Sequence, residues 1–265
     1  MRNKQLSPTF LTRYGPWALI TGASSGIGAE FAQQLAALGF KLILSARSTD
    51  KLYSLAKQLA AQYSIEVQVL TLDLGDKDFM NSIKQHTAEH ETGLLINSAG
   101  FALTGPLLDN SINAEQQLLA VNCHAPLVLS HYFAHKMKPR KKGGIIFLSS
   151  IVAFSAVPQW ANYAASKAYN LVLAESLHSE LKPLGIDVLA LSPGPTATGF
   201  QHNAGVRDFM TMDVQQVVHQ ALTDLGHKAI SIPGALNRYN NFWVKIFPRA
   251  LNRKIFAAII NKVRL

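Results

Sequence analysis

A chain of 265 residues with 48% apolar side chains is long enough for one large α/β domain with a sizeable core. Its single cysteine, Cys123, excludes an intrachain disulfide and suits a reducing, cytoplasmic setting; residues 1–14 lack the apolar stretch of a signal peptide, and no apolar run predicts a spanning helix. The net charge of +9 is uneven: eight of the 25 basic residues and no acidic one follow Asp224, so residues 1–224 carry 17 basic against 16 acidic side chains, and a nearly neutral body argues against nucleic acid as a partner.

The apolar run Trp17-Ala18-Leu19-Ile20 predicts a first strand. It leads into Thr21-Gly22-Ala23-Ser24-Ser25-Gly26-Ile27-Gly28, then into helical spacing (Ala29, Phe31, Ala32, Leu35) closed by Gly39. Glycines let the backbone approach a ligand, and the first amides of the new helix favour a phosphate. The spacing is Gly-x-x-x-Gly-x-Gly, which is neither Gly-x-Gly-x-x-Gly nor a Walker loop. A second strand at 41–45 ends in Ala46-Arg47, and a helix follows at 51–62. A third strand at 67–70 ends at Asp73-Leu74, with Asp76 capping a helix towards 89. A fourth strand at 94–96 enters Asn97-Ser98-Ala99-Gly100, and a helical pattern over 114–136 is interrupted at Pro126. After Gly143-Gly144, a fifth strand at 145–148 ends in Ser149-Ser150, and 163–181 is helical. A sixth strand at 186–191 ends in Pro193-Gly194-Pro195, a capped helix covers 213–225, and a short last strand covers 229–232.

Alternating strands and helices, with several strands apolar throughout, predict an α/β fold: a doubly wound, mostly parallel, Rossmann-type sheet of about seven strands. Ligands in such sheets bind beyond the carboxyl ends of the strands. The glycine turn, Asp73, Asn97, Ser150 and Pro193 all fall at those ends. Residues 1–232 read as one catalytic domain and 233–265 as a basic, amphipathic C-terminal extension.

A Tyr followed four residues later by Lys places a phenol and an ammonium on one helix face. A neighbouring cation favours phenolate and so eases proton exchange with a carbonyl or alcohol. The spacing occurs three times, at Tyr53/Lys57, Tyr132/Lys136 and Tyr163/Lys167. Only Tyr163 opens the helix after a strand tip and has a hydroxyl, Ser150, thirteen residues upstream; Phe40 and Leu119 stand at that offset for the other two.

With these motifs the sequence resembles the short-chain dehydrogenase/reductase family over residues 16–232. Thr21 to Gly28 is similar to the family's cofactor turn, Asp73 to its adenine-contacting aspartate and Asn97-Ser98-Ala99-Gly100 to its Asn-Asn-Ala-Gly, with Ser98 replacing the second Asn. Asn122, Ser150, Tyr163 and Lys167 match its catalytic tetrad, and Pro193-Gly194-Pro195-Thr196-Ala197-Thr198 its stretch beside the nicotinamide. The resemblance implies that Tyr163 exchanges the proton as hydride passes to or from nicotinamide. Lys167 would lower the tyrosine pKa and hold the ribose, Ser150 would bind the substrate oxygen, and Asn122 would hold a water. It implies cofactor contacts at Gly22, Ser24, Ser25, Gly26, Ile27, Gly28, Arg47, Asp73, Leu74, Asn97, Ala99, Gly100, Pro193, Gly194, Thr196 and Thr198, besides Tyr163 and Lys167, and no metal. It also implies pairing of the 114–136 and 163–181 helices into a homodimer or homotetramer.

Ala46 stands where NAD-using relatives carry an acid, and Arg47 suits a 2′-phosphate, so NADP(H) is expected over NAD(H). The segments 101–108, 151–160 and 200–212 would wall the substrate site with Phe101, Leu103, Leu107, Val152, Phe154, Val157, Trp160, Phe200, Phe209, Met210 and Met212. Arg207 and His202 are the polar handles there. Such a wall suits an apolar carbonyl or alcohol. The expected activity is NADP(H)-dependent carbonyl–alcohol interconversion, with 3-oxoacyl thioester reduction and non-catalytic cofactor sensing as alternatives. In the tail, Leu251, Ile255 and Ile259 share a helical face among basic residues, so it would contact a membrane surface, pack on a second subunit or cover the active site.

Overall fold

The structure, a computed structural model, describes residues 9–205, 207 and 211–263. Seven strands form one sheet: β1 (Trp17–Thr21), β2 (Lys41–Ala46), β3 (Val67–Thr71), β4 (Thr92–Asn97), β5 (Gly143–Leu148), β6 (Ile186–Leu191) and β7 (Ile230–Ser231). Their order is β3-β2-β1-β4-β5-β6-β7, and every neighbouring pair is parallel. The order reverses between β1 and β4, which is where a doubly wound sheet opens a crevice.

Most strand positions are apolar because both faces are covered; the edge strand β3, with Gln68, is only partly buried. Successive side chains point to opposite faces. In β1, Ala18 and Ile20 meet Phe31 and Leu35 of α2 (Gly26–Ala37) and Leu52 and Leu59 of α3 (Thr49–Tyr63). Trp17 and Leu19 belong to the opposite core, with Phe133 of α6 (Ala125–Met137) and Leu171 of α7 (Ala161–Leu181). Helix α4 (Phe79–Thr87) adds Phe79 and Ile83 to that second core, and α9 (Val214–Asp224) adds Val217 and Leu222 to the first. A third, smaller apolar cluster lies off the sheet, around Leu118 of α5 (Ile112–Leu119) and Tyr163.

Four features differ from expectation: α4 has Asp78 rather than Asp76 at its N-cap, without a side-chain capping bond, and three others follow. The six-residue helix α1 (Thr9–Tyr14) precedes β1 and buries Phe10 and Tyr14; it is too short to show a period. The break in the long 114–136 helix falls one turn before Pro126, as a π-helical turn over Ala120–His124 between α5 and α6. Proline has no N–H to give the carbonyl four residues back, which is Asn122. The Nδ2 of Asn170 donates to that carbonyl instead, at 2.9 Å. The tail forms two helices, α10 (Ala235–Ile246) and α11 (Arg249–Val263), separated at Pro248. A short α8 (Phe200–Asn203) lies between β6 and α9.

At the amino end of β6, Asp187 is fully buried. Its Oδ2 accepts from the Tyr14 hydroxyl at 2.7 Å and from Arg13, and its Oδ1 from Lys182 Nζ at 2.7 Å. Burial acts to raise this carboxyl, but the bonds from Lys182, Tyr14 and Arg13 outweigh it and hold it below the usual range. Its stabilising contribution is therefore complete above the ordinary aspartate pKa of about 3.9 and is lost as the pH falls below it. Asp187→Asn should destabilise the fold by about 3 kcal/mol, the low end for a broken buried pair because both cations are half exposed. Urea denaturation at neutral pH checks this, and the difference from wild type should shrink on acidification.

Candidate active site

The sequence-predicted residues come together at one edge of the sheet. Thr21 ends β1, and its Oγ1 accepts the amides of Ser98 and Ala99, both at 3.1 Å. The turn after β4 is thus held by backbone amides, so Ser98 needs no side-chain bond in place of the second Asn. Asn97 donates from Nδ2 to Ser130 Oγ at 3.0 Å. Gly22 has φ +67°, and a Cβ there would lie 2.7 Å from Ala99 Cα, so only glycine lets the β1 turn close against the β4 turn.

Helix α2 begins at Gly26, and the side chain of Ser25 before it makes no capping bond. The amides of Gly26, Ile27 and Gly28 thus begin a helix with no side-chain cap, the arrangement that takes an anion. Ser24 is half-buried and Ser25 exposed at this turn. Thr198, beyond β6, lies over the turn: a Cβ on Gly26 would be 3.3 Å from its side chain. Thr196 Oγ1 donates to the Gly194 carbonyl at 2.9 Å, and Pro193 accepts the amide of Ile151 at 3.0 Å. On the other side of the crevice, Arg47 follows β2 and Asp73-Leu74 follows β3. Arg47 Nη1 is 3.9 Å from Asp73 Oδ2, with the guanidinium largely exposed. Asp73 Oδ1 accepts the amide of Gly75 at 2.8 Å, while Leu74 is buried in the core. An uncapped helix start, a glycine turn without Cβ atoms and an exposed guanidinium fit a phosphate-bearing dinucleotide.

Beside this crevice, Tyr163 and Lys167 are buried on α7, and Lys167 Nζ sits 5.6 Å from the centre of the Tyr163 ring. The ammonium donates to the Leu148 carbonyl at 2.9 Å, and Ser149 Oγ donates to the Lys167 carbonyl at 2.8 Å. A Cβ on Gly100 would be 3.4 Å from Lys167 Nζ and 3.1 Å from Asn122 Oδ1, so the β4 turn brings these groups near each other. Asn122, fully buried in the π-helical turn, accepts the Phe101 amide at Oδ1 (3.1 Å) and donates from Nδ2 to the Phe101 carbonyl (3.0 Å) and Ser166 Oγ (3.1 Å). Its side chain therefore fixes the loop after β4. Ser150 accepts the Val152 amide and faces Tyr163.

The protonation behaviour departs from expectation. Burial pushes the Tyr163 phenol well above the usual tyrosine range, and hydrogen bonding with Ser150 offsets only part of that. Burial also brings Lys167 down to about 8. In the protein alone, loss of solvent governs both groups; hydrogen bonding with Ser150 opposes it at the phenol, and Cys123 opposes it at the ammonium. The other two pairs lack such a setting: Tyr53 is exposed, and Lys136 reaches the Thr87 carbonyl.

Trp160 and Phe200 pack on the Tyr163 ring, with centroids 5.6 and 5.8 Å away. Phe101, Leu103, Val152 and Val157 complete an apolar recess around them. The expected wall is otherwise revised. Leu107 is exposed, Phe154 packs into the core below the sheet and Met212 into the one above it. His202 and Arg207 are exposed, and Phe209 and Met210 lie outside the described residues. Three tail residues contribute here, in keeping with covering the active site, one of the three roles that the sequence left open for the tail. Phe256 and Ile260 of α11 join the recess, and Asn237 of α10 abuts Gly194, where a Cβ would be 2.5 Å from its Oδ1. For α10 the signal was Asn237 and Asn241 at helical spacing, which put amides on its inward side.

Comparison with known proteins bears on this geometry. Residues 16–208 match the family model described as short chain dehydrogenase, and the chain belongs to that oxidoreductase family. A very-long-chain 3-oxoacyl-CoA reductase of Podospora anserina is 38% identical over 192 residues, which is 69% of this chain and 56% of the relative. The inactive hydroxysteroid dehydrogenase-like protein 1 of Homo sapiens is 29% identical over 225 residues, 82% of this chain and 67% of its own. The chain spans 56 to 62% of the length of the curated reductases matched in a fungus, a plant and cattle. Among solved structures, a short-chain dehydrogenase from Sphingobium yanoikuyae in complex with NADPH superposes with a TM-score of 0.79 at 31% identity, over 86% of this chain and 92% of that one.

Lys167 is a base with a folded pKa below its unfolded value of about 10.4, so the unfolded chain binds more protons between about 8 and that value. Burying the ammonium costs stability in full below pH 8, and the cost lifts as the pH rises through that window. Between pH 7 and 10 the stability of wild type relative to Lys167→Met should rise by about 2–3 kcal/mol. Paired urea titrations of the two proteins across that range check this.

Proposed function

We propose that this chain uses NADPH to reduce the 3-oxo group of an apolar acyl thioester to a hydroxyl, with Tyr163 as the proton donor. The observation that carries the reading is a buried, proton-retaining phenol set in an apolar recess with an ammonium behind it. The glycine turn, Arg47, Asp73 and the loops after β4 and β6 would hold the dinucleotide. Its nicotinamide, when bound, supplies the hydride that adds to the carbonyl carbon. Tyr163 gives its proton to the carbonyl oxygen, and Ser150 donates a hydrogen bond to that oxygen as charge develops there. Lys167, still mostly protonated at pH 7, stabilises the phenolate left behind. Asn122 keeps the loop at Phe101 in place beside the recess.

The acyl thioester class is favoured by the names of the reductases that this chain resembles and by the long apolar wall. The kinship with a protein called inactive favours a cofactor-binding role without turnover, but the full set of Asn122, Ser150, Tyr163 and Lys167 counts against it. NADP(H) is preferred because the guanidinium of Arg47 has only a long, exposed contact to Asp73 and is available to a 2′-phosphate. Exposed Leu119, Leu127, Tyr169 and Val172 on α5–α7 support association into a homodimer or homotetramer.

NADPH oxidation against a panel of 3-oxoacyl thioesters, ketones and aldehydes tests the activity. Tyr163→Phe should lower turnover by about a thousandfold or more while leaving NADPH affinity within about threefold; near-normal turnover would refute the assigned role. Arg47→Ala should weaken NADPH by about tenfold or more and leave NADH unchanged, as read by fluorescence titration of both cofactors.

A further inference from the structure

The first tail helix is built inside out, and the second carries apolar side chains on its outer side as well as its inner one. In α10 the residues turned to the body are asparagines: Asn241 is buried, and Asn237 packs on Gly194 and donates to the Pro233 carbonyl at 2.9 Å. Tyr239, Phe242, Trp243 and Ile246 recur at helical spacing on the other side and are 37 to 59% exposed. In α11, Asn252 is buried and donates to the carbonyls of Val244 and Phe247, which fixes the elbow at Pro248. Phe256 and Ile260 turn inward to the recess, while Leu251, Ile255 and Ile259 are 40 to 46% exposed. Two consecutive helices thus present large apolar side chains outward, which exceeds the scatter of single exposed residues normal for a soluble surface.

The charges around this face choose its occupant. Arg249, Arg253, Lys254 and Lys262 of α11 are exposed; Arg238 and Lys245 of α10 are exposed too but reach back to the body, to the Ile232 carbonyl and over the Phe154 ring; none of the six forms an ion pair with a described residue, and no acid follows Asp224 in the sequence. A second copy brought face to face would set the same cations against each other without a carboxylate. A nucleic acid would leave the aliphatic residues wet. An anionic lipid surface satisfies both the cations and the apolar side chains, and no described helix is long and apolar enough to cross a bilayer. We infer that α10 and α11 lie in the plane of an anionic membrane surface, with Tyr239, Phe242, Trp243 and Ile246 and the Leu251/Ile255/Ile259 row entering its interfacial layer. The inner side of the same helices closes the recess at Phe256 and Ile260, so an apolar substrate is delivered beside its source. That last clause rests on the proposed reductase activity; the lipid contact does not.

The test is flotation of the full chain with vesicles of phosphatidylcholine alone or with about one-third phosphatidylserine. Wild type should float with the mixed vesicles only, and high salt should release it. Phe242→Ser/Trp243→Ser/Ile246→Ser should reduce binding by about tenfold or more while NADPH affinity, which reports the fold, stays unchanged. Independently of those variants, brominated lipid should quench the Trp emission of wild type but not of Trp243→Phe. Flotation with neither vesicle, equal flotation with both, or absence of Trp243 quenching would overturn the inference. So would light scattering that shows wild type to be a larger assembly dissolved by the triple substitution, since the face would then join two copies. A chain that binds vesicles but reduces no substrate loses the proposed activity and keeps this one.

Discussion

An ammonium group enclosed away from water must be given partners or lose its proton, and Lys167 is at the balance between the two. Its Nζ has the Leu148 carbonyl at 2.9 Å, and its own backbone is tied to Ser149. Leu148 ends β5 and Ser149 follows it, so the tip of one strand determines where the cation of α7 can be. The glycine at position 100, at the end of the neighbouring β4 turn, leaves room for Nζ that a Cβ would crowd. The crevice, the phenol and the recess are arranged around a charge that only these elements together can hold. This is why the site spans the carboxyl ends of several strands rather than one loop.

A comparable dependence runs through the π-helical turn. Pro126 removes a donor, the Asn122 carbonyl loses its helical partner, and Asn170 on the next helix supplies the replacement. The distortion turns the Asn122 side chain towards Phe101 and Ser166, where it pins the loop that starts the recess wall. A helix defect caused by one residue thus positions a loop more than twenty positions earlier in the chain. The same economy appears at Thr21, whose single hydroxyl oxygen receives two amides and joins the β1 and β4 tips.

Much of the fold was legible because parallel strands covered on both faces are apolar at consecutive positions, as in Leu19-Ile20 and Val188-Leu189. The residues at their tips were legible by default, since Gly22, Asp73, Asn97 and Ser150 interrupt apolar runs where a core could not use them. The kink near Pro126 was foreseen but misplaced, because a proline acts on the carbonyl four residues before it. Helix α1 gave no signal, since six residues hold less than two turns. The protonation of Tyr163 and Lys167 was not legible from their spacing, because burial depends on Trp160, Phe200 and Phe256, which come from three separate segments. The apolar row at 251, 255 and 259 was visible in the sequence, but its outward direction was decided by Asn252, Phe256 and Ile260, which take the inward side.

The contact between Asn237 and Gly194 has a mechanical meaning. Gly194 lies in the loop that follows β6 and carries Thr196 and Thr198 back over the glycine turn, so α10 rests on the lip of the dinucleotide crevice. The lip of the crevice is thus positioned by a side-chain amide lying against a bare glycine backbone, and any larger residue at 194 would have to displace the tail helix.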